Sequence, residues 1–319
     1  MSFLIRSIHD TPLYHFYERY LGQLGYVSRH IHSAHIRFME REEIGRRRAL
    51  AAKARPAPEA ARIAEKLEEQ GYHVTSLERL GFADALGDYC RALAEPVAGL
   101  TLAELAKIRA GTTKPYWLDL YEAVGEKPSP VRDFLTSDLV LDAVCLYVGE
   151  VPFLAEANLF YTPAGAATLP PTQQGSQRWH LDRSRRRQVK IFMLPLGADD
   201  ESGASLILPK PWSDLRRYPN YPRYFTDEEF VAAGLDMSKV VRFTGKPGDV
   251  MFVDTSRLFH AGARTRGKPR LQFIANLAPI DAWIPYRRML RRASPGSHFP
   301  EINREILARY AHRARSNAA

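Results

Sequence analysis

Eight short segments rich in β-branched and aromatic residues follow one another in the second half of the chain, separated by turn residues. They cover residues 156–162, 176–182, 188–196, 204–209, 239–244, 249–255, 257–263 and 270–278. Short strands at this spacing are typical of an antiparallel barrel or a jelly roll. We therefore predict a β-sheet core between about residues 151 and 283.

The first 150 residues show the apolar spacing of helices instead. Predicted helices cover residues 11–24, 59–70, 82–95, 101–109 and 130–148, and a short strand is predicted after Gly71. Proline at the first helical turn, glycine after the last turn and a Thr101/Glu104 capping box support these boundaries. The expected fold class is α+β, with a double-stranded β-helix core of the jelly-roll or cupin-like type and with N-terminal and flanking helices.

Changes in composition divide the chain into four expected parts. These are a basic helical extension at 1–55, a mainly helical part at 56–150 that packs on the core, the jelly-roll core at 151–283, and a basic helical segment at 284–319. The core is interrupted at 210–238 by an aromatic and basic insertion. An insertion of this length predicts a lid or a binding loop, with a surface loop without function as the alternative.

Charge and cysteine content narrow the class of protein. The formal net charge is +9, which predicts attraction to an anionic partner such as nucleic acid, acidic lipid or a phosphorylated small molecule. The two cysteines, Cys90 and Cys145, suggest neither a disulfide framework nor a cysteine zinc site. No secretion signal or long apolar run is visible, so we expect a cytoplasmic protein, with peripheral contact to the inner membrane face as a further possibility.

The stretch "RWHLDRSRRR" at 178–187 contains the first candidate for chemistry. In an extended strand His180 and Asp182 point to the same side, as two metal ligands must. His260, on a later predicted strand, is the third candidate, and two histidines with one carboxylate leave three positions of an octahedral iron open. A strand-edge ion pair and packed core histidines are the structural alternatives.

Arg270 begins the strand after His260, beyond a predicted turn that contains Gly267. A guanidinium there could lie deeper in the same barrel and bind a carboxylate through two hydrogen bonds. Arg264 and Arg266 are rivals for this role, but they belong to the predicted turn.

Together, His180-x-Asp182, His260 and Arg270 resemble the phytanoyl-CoA dioxygenase-like branch of the iron(II)/2-oxoglutarate oxygenases. The resemblance extends over about residues 150–280 and includes the phrases "QRWHLD", "VKIFMLPL", "DDESGASLILPK" and "GKPGDVMFVDTSRLFHAG". It implies Fe(II) on the two histidines and the aspartate, 2-oxoglutarate on Arg270, and oxygen as co-substrate. The implied reaction releases succinate and carbon dioxide and usually hydroxylates a substrate.

One position departs from the family pattern. Many relatives carry a serine two residues after the distal histidine that helps to hold the 2-oxoglutarate carboxylate, and this chain has Gly262 there. The carboxylate is therefore expected to rest mainly on Arg270, with a second partner from a neighbouring strand left unidentified.

Arginines close to the ligands indicate the substrate class. Candidates for substrate binding are Arg183, Arg185 and Arg187, with Arg186 and Lys190 beside them, and Arg216, Arg217 and Arg223 in the insertion. Guanidinium groups suit phosphate or carboxylate, so we expect an anionic substrate such as an acyl-CoA, a phosphorylated metabolite or a lipid-linked sugar, for example the Kdo sugar of lipopolysaccharide. A solvated charged face is the structural alternative.

Two other function classes stay open. A nucleic-acid-acting oxygenase would use the basic surface for phosphates and the tyrosines at 218–224 for stacking, although no nucleic-acid-binding module is recognisable and such a partner is disfavoured. A noncatalytic jelly-roll binding protein that kept the ligands is the other.

Overall fold

The computed structural model describes residues 37–38, 40–108, 118–119, 128–168, 175–182, 186–213, 224–282 and 300–316. Strands β1 to β11 are Tyr72–Ser76, Leu118–Asp119, Phe153–Thr162, Trp179–His180, Val189–Met193, Ser205–Ile207, Tyr224–Phe225, Val241–Phe243, Asp249–Val253, His260–Ala261 and Arg270–Ala278. Helices α1 to α8 are Arg41–Ala51, Pro58–Gln70, Ala83–Ala94, Leu102–Ile108, Pro130–Leu135, Asp138–Val148, Asp227–Ala232 and Pro300–Ser316.

The strands form two antiparallel sheets. The larger sheet has the order β1-β9-β5-β11-β3-β2, and the smaller sheet has the order β7-β4-β10-β6-β8. From β3 to β6 and again from β8 to β11, consecutive strands alternate between the two sheets. This alternation winds the chain into a double-stranded β-helix, so the predicted α+β jelly-roll core is confirmed. Each of the eight predicted segments contains a strand.

Side-chain alternation along the strands gives each sheet two different faces. On the outer face of the larger sheet, residues such as Leu159, Ile191 and Phe273 pack against the helices in the main hydrophobic cluster. On its inner face, Phe192 and Met251 meet Ile207 and Phe243 of the smaller sheet. The space between the sheets is therefore partly apolar core and partly the cavity described below.

Local sequence signals explain most of the helix ends. Helix α2 begins at Pro58 and ends at Gly71, whose φ of 84° is accessible to glycine at little cost. The single helix expected over 130–148 is wrong, because two helices occupy this segment. The first ends at Leu135 with Thr136 as its C-cap, and Ser137 caps the second by accepting a hydrogen bond from the backbone N–H of Val140.

Both ends of the described chain pack on the core. In α1, the fully buried Arg47 donates hydrogen bonds to the carbonyl oxygens of Val151 and Pro152. In α8, Tyr310 donates to Asp142 at 2.7 Å. The helix expected over 11–24 lies outside the described residues. No helix in the described part of the chain is long and apolar enough to span a membrane.

The described part of the 210–238 insertion covers the outer face of the smaller sheet. Its strand β7 pairs with β4, which places Tyr224 opposite His180. In α7, which a Thr226/Glu229 capping box begins, Phe230 stacks on Trp179 with ring centroids 4.2 Å apart. This segment thus packs on the strand that carries His180. Its function as a lid stays a prediction.

Candidate metal centre

The three predicted ligands converge at one end of the smaller sheet. His180 of β4 is the register partner of His260 of β10, and their ring centroids are 4.1 Å apart. Asp182 follows β4, where its backbone N–H donates to the carbonyl of Thr255 at 2.9 Å. One candidate ligand atom from each residue lies within 4.8 Å of the others, the one such group among the described residues.

Backbone carbonyls orient both imidazoles. Nδ1 of His180 lies 2.8 Å from the carbonyl oxygen of Arg178, and Nδ1 of His260 lies 3.1 Å from that of Leu258. Metal-binding histidines ordinarily donate their second ring N–H in this way, which sets the tautomer. Nε2 of each ring is then the atom available to a metal, and Nε2 of His260 lies 3.9 Å from Oδ1 of Asp182.

The two oxygens of the Asp182 carboxylate have different surroundings. Oδ2 accepts hydrogen bonds from Lys190 Nζ at 2.8 Å, from Gln188 Nε2 at 3.1 Å and from the Thr255 hydroxyl. Gln188 and Thr255 are fully buried. The three donors fix the carboxylate with Oδ1 on the side of His260, so Oδ1 is the oxygen placed for a metal.

The protonation states of the three side chains suit metal binding. Burial lowers the pKa of His180 to about 3, helped by the neighbouring His260, and burial also lowers the pKa of His260. Burial alone would raise the pKa of Asp182, but Lys190 and the two imidazoles hold it well below its ordinary value. At neutral pH the site therefore presents two neutral imidazoles and one carboxylate, the forms that bind a cation.

Arg270 lies at the start of β11 and is almost fully buried. Its Nη2 donates to the Ser205 hydroxyl at 2.5 Å and to the side-chain carbonyl of Gln272, while its Nε has no partner among the described residues. No described acidic side chain pairs with it, and burial lowers its pKa to about 10. A buried guanidinium without a carboxylate partner is costly, and it is suited to an anionic ligand.

Ser205 and Gln272 are the partners of Arg270 that the sequence analysis left unidentified. A Cβ at Gly262 would lie 3.3 Å from Nη1 of Arg270 and 3.6 Å from the Ser205 hydroxyl. Ser205, on the neighbouring strand β6, thus brings a hydroxyl close to the position that lacks one at Gly262. Gln272 shares a strand face with Arg270 because the two are two residues apart, and this signal was available in the sequence.

The two other arginines considered for carboxylate binding, Arg264 and Arg266, contact other parts of the chain. Arg264 pairs with Asp227 at 2.9 Å and donates to the Gln177 carbonyl, and with Arg266 it lines a separate cavity.

The metal ligands and Arg270 line one cavity of about 350 Å³. Other residues around it include Glu156, Phe160, Ser176, Lys190, Phe192, Tyr224, Gln272 and Ile274. The three oriented ligand atoms can hold a metal ion. The unpaired Nε–H of Arg270 can donate to a carboxylate at the far end of a ligand that chelates this metal. The residues present therefore fit Fe(II) and 2-oxoglutarate.

The arginines expected to bind substrate are only partly within the described chain. Arg187 pairs with Glu68 at 2.5 Å and its guanidinium lies 5.0 Å from the ring centroid of Tyr147, while Arg186 pairs with Asp281 at 3.0 Å. Neither is among the residues that line the cavity in the described chain. The other five candidates, Arg183, Arg185, Arg216, Arg217 and Arg223, lie outside the described residues.

Comparison with known proteins adds structural neighbours. No protein-family model matches the sequence, and no curated protein matches it. Similar solved structures include EctD from S. alaskensis with bound Fe, at 20% identity and a TM-score of 0.46 over 71% of this chain and 79% of that one. The ThoJ non-heme monooxygenase in complex with Ni has 15% identity and a TM-score of 0.42 over 80% and 98%.

A third neighbour is SnoN, described as a non-heme alpha ketoglutarate dependent epimerase from nogalamycin biosynthesis. It has 17% identity and a TM-score of 0.46 over 75% of this chain and 90% of that one. Because these sequence identities and TM-scores are low, the function proposed below depends on the side chains described above.

Proposed function

We propose that the protein is a non-haem Fe(II)/2-oxoglutarate-dependent dioxygenase of the phytanoyl-CoA dioxygenase-like branch, acting as a hydroxylase. The observation that carries this proposal is the joint lining of one cavity by the His180, Asp182 and His260 group and by Arg270. Two histidines and one carboxylate are the ligand set of oxygenase iron, and the three remaining positions accommodate a chelating co-substrate and oxygen. A closed zinc site would need a fourth ligand, and the described residues supply none to this group.

Each set of residues has a separate task in this proposal. When bound, Fe(II) and 2-oxoglutarate would supply oxygen activation coupled to release of succinate and carbon dioxide. His180, Asp182 and His260 would hold the metal, and Arg270 with Ser205 and Gln272 would bind the far carboxylate of 2-oxoglutarate. Phe160, Phe192 and Ile274 give the cavity apolar walls, which limit the entry of water.

We propose an anionic small molecule or a lipid-linked sugar as substrate. The arginines that follow Asp182, those of the insertion and the net charge of +9 support this class. A cavity of about 350 Å³ is near the lower end of the range for small-molecule sites, so a larger substrate would insert only its reacting end. Cytoplasmic location and contact with an acidic membrane surface stay predictions.

Succinate release tests the proposal. Purified protein is incubated with Fe(II), oxygen and 2-oxoglutarate, and anionic metabolites and lipid extracts are screened for stimulation of succinate formation. We expect stimulation by an anionic compound, none by its neutral analogue, and no turnover in His180→Ala. Full turnover in His180→Ala would refute the metal assignment, while equal stimulation by charged and neutral analogues would refute the substrate class alone.

A further inference from the structure

Lys190 is an unexpected neighbour for a metal ligand. Its ammonium lies 2.8 Å from Oδ2 of Asp182, its side chain is only 14% exposed, and it lines the cavity. A cation so close to the metal position repels the metal, so its presence needs an explanation other than metal affinity. Lys190 is also the one charged group among the three donors to the Asp182 carboxylate, since Gln188 and Thr255 are neutral.

We propose that Lys190 is a positioning residue that acts through Asp182. It neutralises the carboxylate, which weakens metal binding and strengthens binding of the 2-oxoglutarate dianion. This inference rests on the proposed function. With Lys190 present, the charges of Lys190 and Asp182 cancel, and a bound divalent cation keeps its full positive charge toward the incoming dianion. Without Lys190, the carboxylate partly neutralises the metal.

The other contacts of Asp182 separate this electrostatic effect from simple orientation. The side chain of Gln188 and the hydroxyl of Thr255 donate to the same oxygen and are themselves buried. Nδ2 of Asn276 in turn lies 3.4 Å from Oε1 of Gln188. Because these neutral donors remain when Lys190 is replaced, the carboxylate keeps its orientation and only the charge of the site changes.

The sheet register places a second carboxylate on the same face of the larger sheet as Lys190. Lys190 of β5 and Glu156 of β3 are both register partners of Asn276 on β11, and both line the cavity. The charged side chains that line the cavity in the described chain include the carboxylates of Asp182 and Glu156 and the cations Lys190 and Arg270. A neutral side chain in place of Lys190 therefore leaves the carboxylates in excess.

Two binding measurements on the metal-free full chain test the inference. The first measures Mn(II) affinity by calorimetry, and the second measures 2-oxoglutarate affinity of the Mn(II)-loaded protein. For Lys190→Met we expect the dissociation constant for Mn(II) to fall by about tenfold and that for 2-oxoglutarate to rise by about tenfold, from one unit charge removed near the metal. Lys190→Arg, which keeps the charge, should shift neither constant appreciably.

Lys66→Met is the matched control, because it removes one lysine charge from the exposed face of α2. It should change neither constant. If Lys190→Met folds poorly, as thermal unfolding would show, Lys190→Gln keeps a hydrogen-bond donor and carries the same two expectations.

The direction of the two shifts decides the outcome. If Lys190→Met and Lys190→Gln weakened both affinities, Lys190 would have a structural role and the inference would be overturned. The absence of any shift in these two variants would overturn it as well. Binding of Mn(II) and 2-oxoglutarate by the unaltered protein would leave the proposed function standing in either case. If the unaltered protein binds neither, the proposed function and the inference fall together.

Discussion

Arg270→Met is expected to make the ligand-free protein more stable while abolishing its response to 2-oxoglutarate. Arg270 is buried without an acidic partner in the described chain, and its pKa is lowered from 12.5 to about 10. A shift of this size corresponds to about 3 kcal/mol of cost for burying the charged form. Methionine has a similar length and no charge, so it removes this cost without opening a large cavity.

Lost hydrogen bonds offset part of that gain. Ser205 and Gln272 lose their contacts with Nη2 but keep their mutual hydrogen bond of 3.1 Å. If the loss costs about 1 to 1.5 kcal/mol, the free energy of unfolding rises by about 1 to 2 kcal/mol. The folded-state pKa lies below the unfolded one, so the cost is fully present below about pH 10 and is relieved only above it. The gain should therefore be constant across neutral pH.

Chemical denaturation with and without ligand measures both effects. With Mn(II) present, 2-oxoglutarate at 100 times its dissociation constant should stabilise the unaltered protein by about 2.7 kcal/mol. Loss of the guanidinium costs about 3 to 5 kcal/mol of ligand binding, so the variant should show almost none of this stabilisation. Arg242→Met, which removes an exposed arginine paired with Asp200, is the control and should change neither quantity appreciably.

The reasoning would be refuted if Arg270→Met lowered the free energy of unfolding by several kcal/mol and kept the full stabilisation by 2-oxoglutarate. The first result would show that the guanidinium supports the fold. The second would place the carboxylate site elsewhere.

Three further predictions concern other parts of the molecule. Asp182→Ala should abolish Mn(II) binding measured by calorimetry without unfolding the protein, and tight binding in this variant would argue against the ligand set. Asp254 is buried and its pKa is raised to about 6, so its ionisation destabilises the fold as pH rises from about 4 to 6. Asp254→Asn should therefore exceed the unaltered protein in unfolding free energy by about 3 kcal/mol above pH 6.5 and by little at pH 4, and a pH-independent difference would contradict this. Tyr310→Phe leaves Asp142 without one buried donor and should lower the unfolding free energy by about 1 to 3 kcal/mol in denaturant titrations, whereas an unchanged midpoint would show that this contact contributes little.

Local sequence patterns were sufficient for most elements of this fold. Runs rich in β-branched and aromatic residues indicated eight strands of the core, although β7 in the insertion was not expected. Gly71 marked the end of α2 correctly because it acts through backbone geometry. The break at Ser137 was missed although serine is a strong N-cap. The apolar spacing continues across it, and periodicity alone does not show where one helix ends and the next begins.

The candidate site was predictable to the extent that its residues share a strand or recur in a recognisable order. His180 and Asp182 share a short segment, and His260 and Arg270 follow in the order that the family resemblance described above led us to expect. Ser205 and Thr255 reach the site only through pairing register and loop packing, which depend on contacts between distant segments. Local spacing carries no information on such contacts.

The charge network of the site was also beyond sequence reasoning. Lys190 was grouped with the arginine run because it follows closely in the chain. In the structure Lys190 points into the cavity and pairs with Asp182, whereas Arg187 pairs with Glu68. Neighbours in sequence thus have separate surroundings, since successive residues of an extended segment face opposite sides.

A crystal structure of the protein grown anaerobically with Mn(II) and 2-oxoglutarate, with anomalous diffraction to locate the metal, tests the central claim most directly. We expect one strong anomalous peak within bonding distance of Nε2 of His180, Oδ1 of Asp182 and Nε2 of His260. We also expect a carboxylate of 2-oxoglutarate against Nε of Arg270. A metal bound elsewhere, or 2-oxoglutarate bound away from Arg270, would contradict the account.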